Sequence, residues 1–385
     1  MIKVLFISQW YPHRYDKMFG LFVQKHAQAA LLYSNVKVLY VHPDSNIKKI
    51  ELTESTKSGL TEIIVYYPAK SDSIFQKFYK FIFWLKAYKT GFKHLKQIDF
   101  NPDIIHSNIL TRTGVIALYQ KIFNKIPYVI TEHWSRYLPI RNSYKGFFRK
   151  MITRIVVRNA SAIFPVSKNL KDAMLSFDLR NENYKIINNV VDDFFFEKPT
   201  VVHRTKKRIL HVSCFDEQAK NVKGILRASY ELSKKRDDFE LILIGTGLDF
   251  EEVHRFYEIL SFPKGIIHFL GERKPEEVAN WMHNSDLFIL FSNYENAPVV
   301  ISESLACGKP ILSSNVGGIP EQVNESNGIL INARDEVALV EKMNYMLNHY
   351  TEYDIDTIRK YAIDQYSYMA VGLKLNDEYK RILKI

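Results

Sequence analysis

Residues 287–323 read LFILFSNYENAPVVISESLACGKPILSSNVGGIPEQV. The run 287–291 is continuously apolar, as expected of a short strand covered on both faces of a sheet. Pro298 suits the first turn of a helix, where its missing N–H would have had no partner, so Asn296 or Ala297 is expected to be the cap. A second apolar run, 310–313, follows that helix. Strand, helix and strand in such close succession form a βαβ unit, which requires a parallel sheet with a helix covering its face.

The same grammar continues outward in both directions. Upstream in the back half lie strand-like runs at 208–213, 240–245 and 266–270, and downstream one at 328–331. The front half carries runs at 3–8, 37–42, 62–67, 103–106, 128–131, 162–166 and 185–187, separated by helical stretches at 21–33, 75–96, 114–123 and 144–158. Two further helical stretches, 354–365 and 367–385, close the chain. A length of 385 residues is too great for one compact domain and suits two. Residues 196–207, FEKPTVVHRTKK, are polar and contain a proline, so the boundary is placed near residue 198. The expected organisation is an α/β chain with doubly wound parallel-sheet domains at 1–198 and 199–365, and a last helix, 366–385, packing back on the first. Ligands of such folds bind outside the carboxyl ends of the strands, which points to a cleft between the two domains.

Composition narrows the function classes. Hydrophobic residues make up 46% and charged residues 25%, with 15 Gly and 13 Pro, which excludes collagen-like, low-complexity and largely disordered chains. The two cysteines, Cys214 and Cys307, have neither disulfide-framework nor zinc spacing and suit a reducing cytoplasm. The first apolar run is too short for a signal peptide, and no run approaches the ~20 apolar residues of a membrane span. The net charge of +11 is unevenly placed: residues 1–200 carry 30 Lys and Arg against 15 Asp and Glu, whereas residues 201–385 carry 23 against 27. A basic front half implies an anionic partner for that half.

The helix expected after Pro298 offers an anion site, because first-turn N–H groups and the positive end of the helix dipole face its mouth. Glu303, about five residues in, stands ~7.5 Å along the axis and leans back toward that mouth. Glu295 precedes the helix. Two carboxylates bracketing a phosphate site match the needs of a sugar joined to a nucleoside through a diphosphate. Two glutamates eight apart are also commonplace on solvated helix faces, so the pair gains meaning only from its surroundings.

Those surroundings resemble glycosyltransferase family 4. ENAPVVISE corresponds to that family's Glu-x7-Glu signature, and SLACGKPILSSNVGGIPE to its usual continuation. The likeness extends along most of the chain, through the first strand and glycine loop, TEHW, VSKNL, NVVD, LILIGTG and IIHFLGERKPEEVANWMHNSDLFILFS. It implies a GT-B fold of two Rossmann-like domains and a retaining, metal-independent glycosyltransferase using a nucleotide-diphosphate sugar as co-substrate, with no separate cofactor. By motif position, Glu303 would bind the ribose hydroxyls and Glu295 the transferred sugar. The backbone of Asn296, Ala297, Pro298, Val299 and Val300 would hold sugar and diphosphate, although the family often has Gly-Phe-Gly where this chain has Asn-Ala-Pro. Lys220 would stabilise the departing diphosphate. The family's arginine six residues earlier is replaced by Cys214, leaving Lys223 and Arg273 as candidate substitutes. His268 and Leu270 would cradle the base, and Gly245 and Gly247 would allow close backbone approach at a strand end. In the front half, His133 would hydrogen-bond the transferred sugar opposite Glu295, and Gly20 would face the diphosphate. His106 is a further cleft-lining candidate. Ser167, Asn189 and Asp192 match family positions but read as caps and hinge residues. Asp354 and Asp356 read as helix-opening acids rather than metal ligands.

The stretches 76–96, QKFYKFIFWLKAYKTGFKHLK, and 144–158, YKGFFRKMITRIVVR, mix aromatics with cations. Such helices either cover a core with a solvated basic face or lie on an anionic membrane. The expectation is an enzyme of surface polysaccharide assembly, cytoplasmic and peripherally held at the inner face of the plasma membrane, taking a glycan or lipid-linked glycan as acceptor. The enzyme alternative is a GT-B nucleotide-sugar epimerase or hydrolase. A nucleic-acid-binding role would need a reading module or stacking motif, and the sequence contains none.

Overall fold

The computed structural model describes residues 1–69, 74–197 and 204–385, with the side chains of 74–77 excepted. The boundary expected near residue 198 and the Lys77 side chain of the basic stretch lie outside the described residues. The chain divides into two compact units, each with its own sheet.

The first unit comprises Met1–Val166, Lys171–Val190 and Tyr368–Ile385. Its elements are β1 (Lys3–Ser8), α1 (Leu21–Leu31), β2 (Asn35–Asp44), β3 (Glu51–Lys57), β4 (Leu60–Pro68), α2 (Ile74–Gln97), β5 (Ile104–Asn108), α3 (Arg112–Asn124), β6 (Tyr128–Glu132), α4 (Phe147–Asn159), β7 (Ala162–Pro165) and most of α5 (Lys168–Ser176). The strand order is β3-β4-β2-β1-β5-β6-β7. All pairings are parallel except that of β3 with β4.

That antiparallel edge strand corrects the expectation of a wholly parallel sheet. ELTESTK has no apolar run to betray it, because five of its seven residues are exposed. Its turn is chemically legible all the same. Ser58 and Gly59 both have positive φ, 46° and 82°, as a tight two-residue hairpin requires. The run at 185–187 is likewise not a strand. It lies beside β7 through bonds such as Lys185 N to Ile163 O at 3.0 Å, but only Tyr184 forms a bridge.

The second unit comprises Ser167–Leu170 and Val191–Ser367. It contains β8 (Lys207–Val212), α6 (Glu217–Lys220), α7 (Val222–Ser233), β9 (Phe239–Ile244), α8 (Phe250–Leu260), β10 (Ile267–Gly271), α9 (Pro275–His283), β11 (Leu287–Leu290), α10 (Val299–Ala306), β12 (Ile311–Ser314), β13 (Gly328–Ile331), α11 (Glu336–His349) and α12 (Ile355–Tyr366). The strand order is β10-β9-β8-β11-β12-β13, parallel throughout. Alternate residues serve opposite faces. Ile209, Leu241 and Ile289 enter one core cluster with Ile225, Leu226 and Met343, while Leu210, Ile242 and Leu290 enter another with Ile301, Leu305 and Ile358. Both faces are therefore apolar, which is why these strands read as continuous runs. At the last of these elements Asp354 caps α12, accepting from Asp356 N and Thr357 N.

The final helix, α13 (Tyr368–Leu383), belongs to the first unit and packs on α1. Gly372 permits the approach, since a Cβ there would stand 2.2 Å from Ala29 O. Val371, Leu375 and Tyr379 complete the core that β1 and α1 begin. Tyr379 also reaches His106, whose Nδ1 lies 2.5 Å from the Tyr379 hydroxyl and whose Nε2 lies 2.6 Å from Thr131 Oγ1. His106 is fully buried inside β5, so the cleft-lining role expected for it is corrected to a structural one.

Burial holds the His106 imidazole neutral, well below the usual histidine range, with the neighbouring His26 acting in the same direction. A histidine depressed in the folded state contributes stability above its unfolded pKa, near 6.5, that is lost as pH falls below it. Relative to a His106→Gln variant, the wild type should therefore lose stability on acidification from pH 7 to pH 5 at up to about 1.4 kcal/mol per pH unit below 6.5. Urea unfolding of both proteins across that range checks this, and parallel pH profiles would exclude it.

Candidate active site

In the second unit, strand order reverses between β8 and β11, so the loops leaving these adjacent strands diverge to opposite faces of the sheet. Crevices at such reversals are where doubly wound sheets bind ligands. The loop after β8 folds into the short α6, capped by Asp216, which accepts from Ala219 N at 3.2 Å. It docks on the loop after β11: Asn293 N donates to Ala219 O at 2.7 Å and Asn293 Nδ2 to Gln218 O at 3.0 Å. These bonds bring Lys220, at the end of α6, against Glu295. Lys220 Nζ donates to Glu295 Oε1 at 2.5 Å, and Ser292 Oγ donates to the same oxygen at 2.8 Å.

The Lys220 and Glu295 side chains are only 15% and 10% exposed. Removing one partner from so dehydrated a pair would strand the other charge, at a cost of about 3–5 kcal/mol. Ser292 is itself fixed, its carbonyl accepting from Ser314 Oγ at 2.5 Å. The carboxylate therefore has a single supported position.

Immediately downstream, α10 begins one residue later than its sequence suggests. Pro298 is the N-cap, in extended conformation, and Val299 is the first helical residue. With its ring nitrogen alkylated, proline serves as well just outside the helix as just inside. The backbone N–H groups of Val299 and Val300 donate to no group among the described residues, so the first turn retains unmet donors. Glu303 lies in this helix and is half-buried.

The loop carrying Glu295 and Asn296 is clamped by two glycines that no motif role had singled out. Gly318 N donates to Asn296 O at 2.8 Å. A Cβ on Gly317, whose φ is 57°, would stand 2.0 Å from Glu295 O, and one on Gly318 would stand 2.1 Å from Asn296 O. Asn296 Oδ1 in addition accepts from Ser167 Oγ at 3.0 Å, while Ser167 Oγ caps α5 by accepting from Leu170 N.

The other expected donor-site residues are distributed around the same strand ends. Gly245 and Gly247 do permit close approach, but to the protein's own loop after β8. A Cβ on Gly245 would stand 1.8 Å from Ser213 O, and one on Gly247 would stand 2.7 Å from Phe215 N. His268 and Leu270 are in β10, both half-buried, with His268 Nε2 3.5 Å from Glu240 Oε2. Cys214 is exposed. Of the candidate replacements for its missing cation, Lys223 pairs with Glu252, and Arg273 is exposed with its guanidinium on the Glu272 carbonyl.

In the first unit, His133 follows β6. Its Nδ1 lies 3.2 Å from Asn189 Oδ1, and its ring packs against Phe22 and His26. Burial pushes this imidazole well below the usual histidine range. Gly20 caps α1 with φ 68°, and a Cβ there would stand 2.5–2.6 Å from the Trp10–Tyr11 backbone, again the protein's own loop. The residue that organises this region is Glu132, which motif reading passed over. Fully buried, it accepts from Leu110 N at 2.8 Å, His133 N at 2.9 Å and Trp134 N at 2.8 Å. Burial outweighs these three bonds and pushes its carboxyl up to about 7.

Comparison with known proteins agrees with this arrangement. The model for glycosyl transferases group 1 matches residues 193–363, and that for glycosyltransferase family 4 matches residues 37–193. An uncharacterized glycosyltransferase of Methanocaldococcus jannaschii is 29% identical over 71% of this chain and 73% of its own length. The putative teichuronic acid biosynthesis glycosyltransferase TuaC of Bacillus subtilis is 22% identical over 88% of each chain. Among solved structures, Anabaena HepE in complex with UDP superposes with a TM-score of 0.73 at 15% identity, covering 99% of this chain and 100% of that one. The fold is that of the GT-B glycosyltransferases, and the chain belongs to glycosyltransferase family 4.

The glycine clamp is directly testable. Gly318→Ala should destabilise the second unit by about 1–3 kcal/mol through overpacking against the Asn296 carbonyl. Chemical denaturation measures this. An unchanged midpoint would show that the Glu295 loop yields freely.

Proposed function

We propose that the chain is a retaining, metal-independent hexosyltransferase that moves a sugar from a UDP- or GDP-sugar to a glycan or lipid-linked glycan in surface polysaccharide assembly. The observation that carries this reading is the Lys220–Glu295 pair beside the open first turn of α10, at the reversal of strand order. A carboxylate able to accept from sugar hydroxyls, a cation and unmet helix N–H groups within one strand-end region are the groups a sugar diphosphate needs. The complex of HepE with UDP and the naming of TuaC as a putative teichuronic acid biosynthesis glycosyltransferase support a nucleotide donor and a polysaccharide product.

In the proposed reaction the acceptor hydroxyl attacks the anomeric carbon from the face the diphosphate leaves. The carbon–oxygen bond to phosphate breaks as the new glycosidic bond forms, and the hydroxyl proton passes to a departing diphosphate oxygen. Charge builds on that diphosphate, and Lys220 with the N–H groups of Val299 and Val300 would stabilise it. Glu295, held by Ser292, would orient the transferred sugar. His133 would donate to the same sugar, and Glu303 would accept from the ribose hydroxyls. By motif position His268 and Leu270 would line the base and Asn296, Ala297 and Pro298 the sugar diphosphate, while Gly20 and Gly245 would act there by letting the loops after β1 and β8 pack closely. No cofactor beyond the donor is needed.

Exposed aromatics also favour membrane docking by the first unit. Phe78, Tyr79, Phe81 and Leu85 on α2, and Phe147, Phe148, Met151 and Ile155 on α4, stand in solvent among Lys86, Lys89, Arg149 and Arg158. No helix among the described residues is long and apolar enough to cross a membrane. Rings set into an interface beside headgroup-binding cations fit peripheral attachment to the anionic inner leaflet.

Thermal-shift measurements should show stabilisation by UDP or GDP, by about 2.7 kcal/mol at a hundredfold excess over Kd. Silence toward both, with and without an attached sugar, would overturn the donor assignment. Glu295→Gln should lower transfer by roughly 10²–10³ while preserving nucleotide binding, and normal turnover would remove Glu295 from the mechanism. Product analysis with and without lipid acceptor separates transfer from hydrolysis or epimerisation. Sedimentation with liposomes should show binding that depends on anionic lipid, and equal binding to neutral vesicles would refute the docking surface.

A further inference from the structure

The first sheet has its own reversal of strand order, between β1 and β5. A cavity of about 220 Å³ opens near the carboxyl ends of β1, β2 and β4, with the start of α3 on its wall. Six large aromatic side chains wall it: Trp10, Phe19, Tyr40, Tyr67, Trp84 and Tyr88. Trp84 meets Tyr88 edge to face at 5.1 Å, and Trp10 meets Trp134 at 4.9 Å, so the wall is braced by ring contacts. The space is large enough to admit one sugar ring.

Its polar groups are few and open. Tyr67 and Tyr88 are buried, yet neither hydroxyl bonds to any group of the described residues. His42 uses Nδ1 on the Tyr40 hydroxyl at 2.9 Å and stacks on His13 at 3.8 Å, leaving Nε2 available. Burial and the neighbouring His13 push His42 down to about 4, so it is neutral at physiological pH. The lining contains no carboxylate among the described residues. Its one formal charge there is the exposed Arg112, whose guanidinium makes neither an ion pair nor a hydrogen bond with another described residue and faces Tyr67 and Tyr88.

Arg112 holds this place at a cost. It is the first residue of α3, where a cation opposes the helix dipole. The preceding Thr111 has φ 88° and ψ −72°, close to the rare and strained γ-turn geometry. Ile109 is also left-handed, at φ 65°. The buried Glu132 holds this loop through Leu110 N, and Ile109 N donates to Thr131 O. A strained loop, braced by a buried carboxylate, thus delivers an unpaired guanidinium to the rim of an aromatic cavity.

We infer that this cavity binds a single sugar residue carrying an anionic group, its apolar C–H face on the aromatic wall and its carboxylate or phosphate on Arg112. Guanidinium suits either group, since its planar fork matches two oxygens at once. Resting on the glycosyltransferase reading, the occupant is an acidic residue of the acceptor.

Calorimetric titration of the whole chain, with UDP present at saturation to occupy the donor site, would use three probes: methyl glucuronide, glucose 6-phosphate and methyl glucoside. At least one anionic probe should bind tenfold or more tightly than the neutral one, and which one does so identifies the anion. Arg112→Gln should abolish that preference without lowering Tm or weakening UDP binding, and Arg112→Lys should restore part of it. Equal affinities for all three probes, no binding by any, or an undiminished preference in Arg112→Gln would each overturn the proposal. An Arg112-dependent preference in a protein that ignores UDP would keep the site and remove only its identification as an acceptor site.

Discussion

A parallel sheet sends every connection over one of its faces, and wherever the strand order reverses, two neighbouring strands send their loops apart. This constraint governs both units. In the second it separates the loops after β8 and β11, and the protein closes the gap with an ion pair, Lys220 to Glu295, supported by Ser292 and by the bonds from Asn293 to α6. In the first it separates the loops after β1 and β5, and the space is left as a cavity walled by aromatic rings. One topological rule thus produces a polar, tightly cross-linked region in one unit and a hollow in the other.

The glycines show how closely these regions are built. Gly20, Gly245, Gly247, Gly317 and Gly318 would all suggest room for a ligand if judged by composition alone. Each instead admits another segment of the same chain: the loop after β1, the loop after β8, or the Glu295 loop. Their absence of side chains acts indirectly, by letting the loops that bear the chemistry lie against one another. Glu132 works in the same manner in the first unit, tying three backbone N–H groups from two loops to one buried carboxylate.

Nearly all the strands were legible because both faces of each sheet are covered, so Ile209 and Leu210 can both be apolar while facing opposite ways. The helix of the Glu-x7-Glu segment was legible to within one residue, the error lying in which side of the boundary Pro298 occupies. What escaped was whatever depends on partners distant in the chain. His106 at a strand's end resembles a site residue until Tyr379, from the other end of the chain, is found bonded to it. Glu132 is indistinguishable in sequence from any polar residue beside a histidine, since its burial is decided by the β5 loop above it. The pairing of Lys220 with Glu295 likewise needs the adjacency of β8 and β11, which no local spacing encodes.

The strand that sequence patterning missed, β3, has a consequence for how the molecule survives in a crowded solution. The first sheet would otherwise end at β4, whose residues are largely buried and rich in β-branched and aromatic types. An edge of that kind recruits further strands from other molecules. The hairpin through Ser58 and Gly59 lays Glu51, Glu54 and Lys57 along that margin instead. The outermost backbone is thereby bordered by charges that a second copy would have to dehydrate, so β3 serves as a guard against self-association as well as the last member of the sheet.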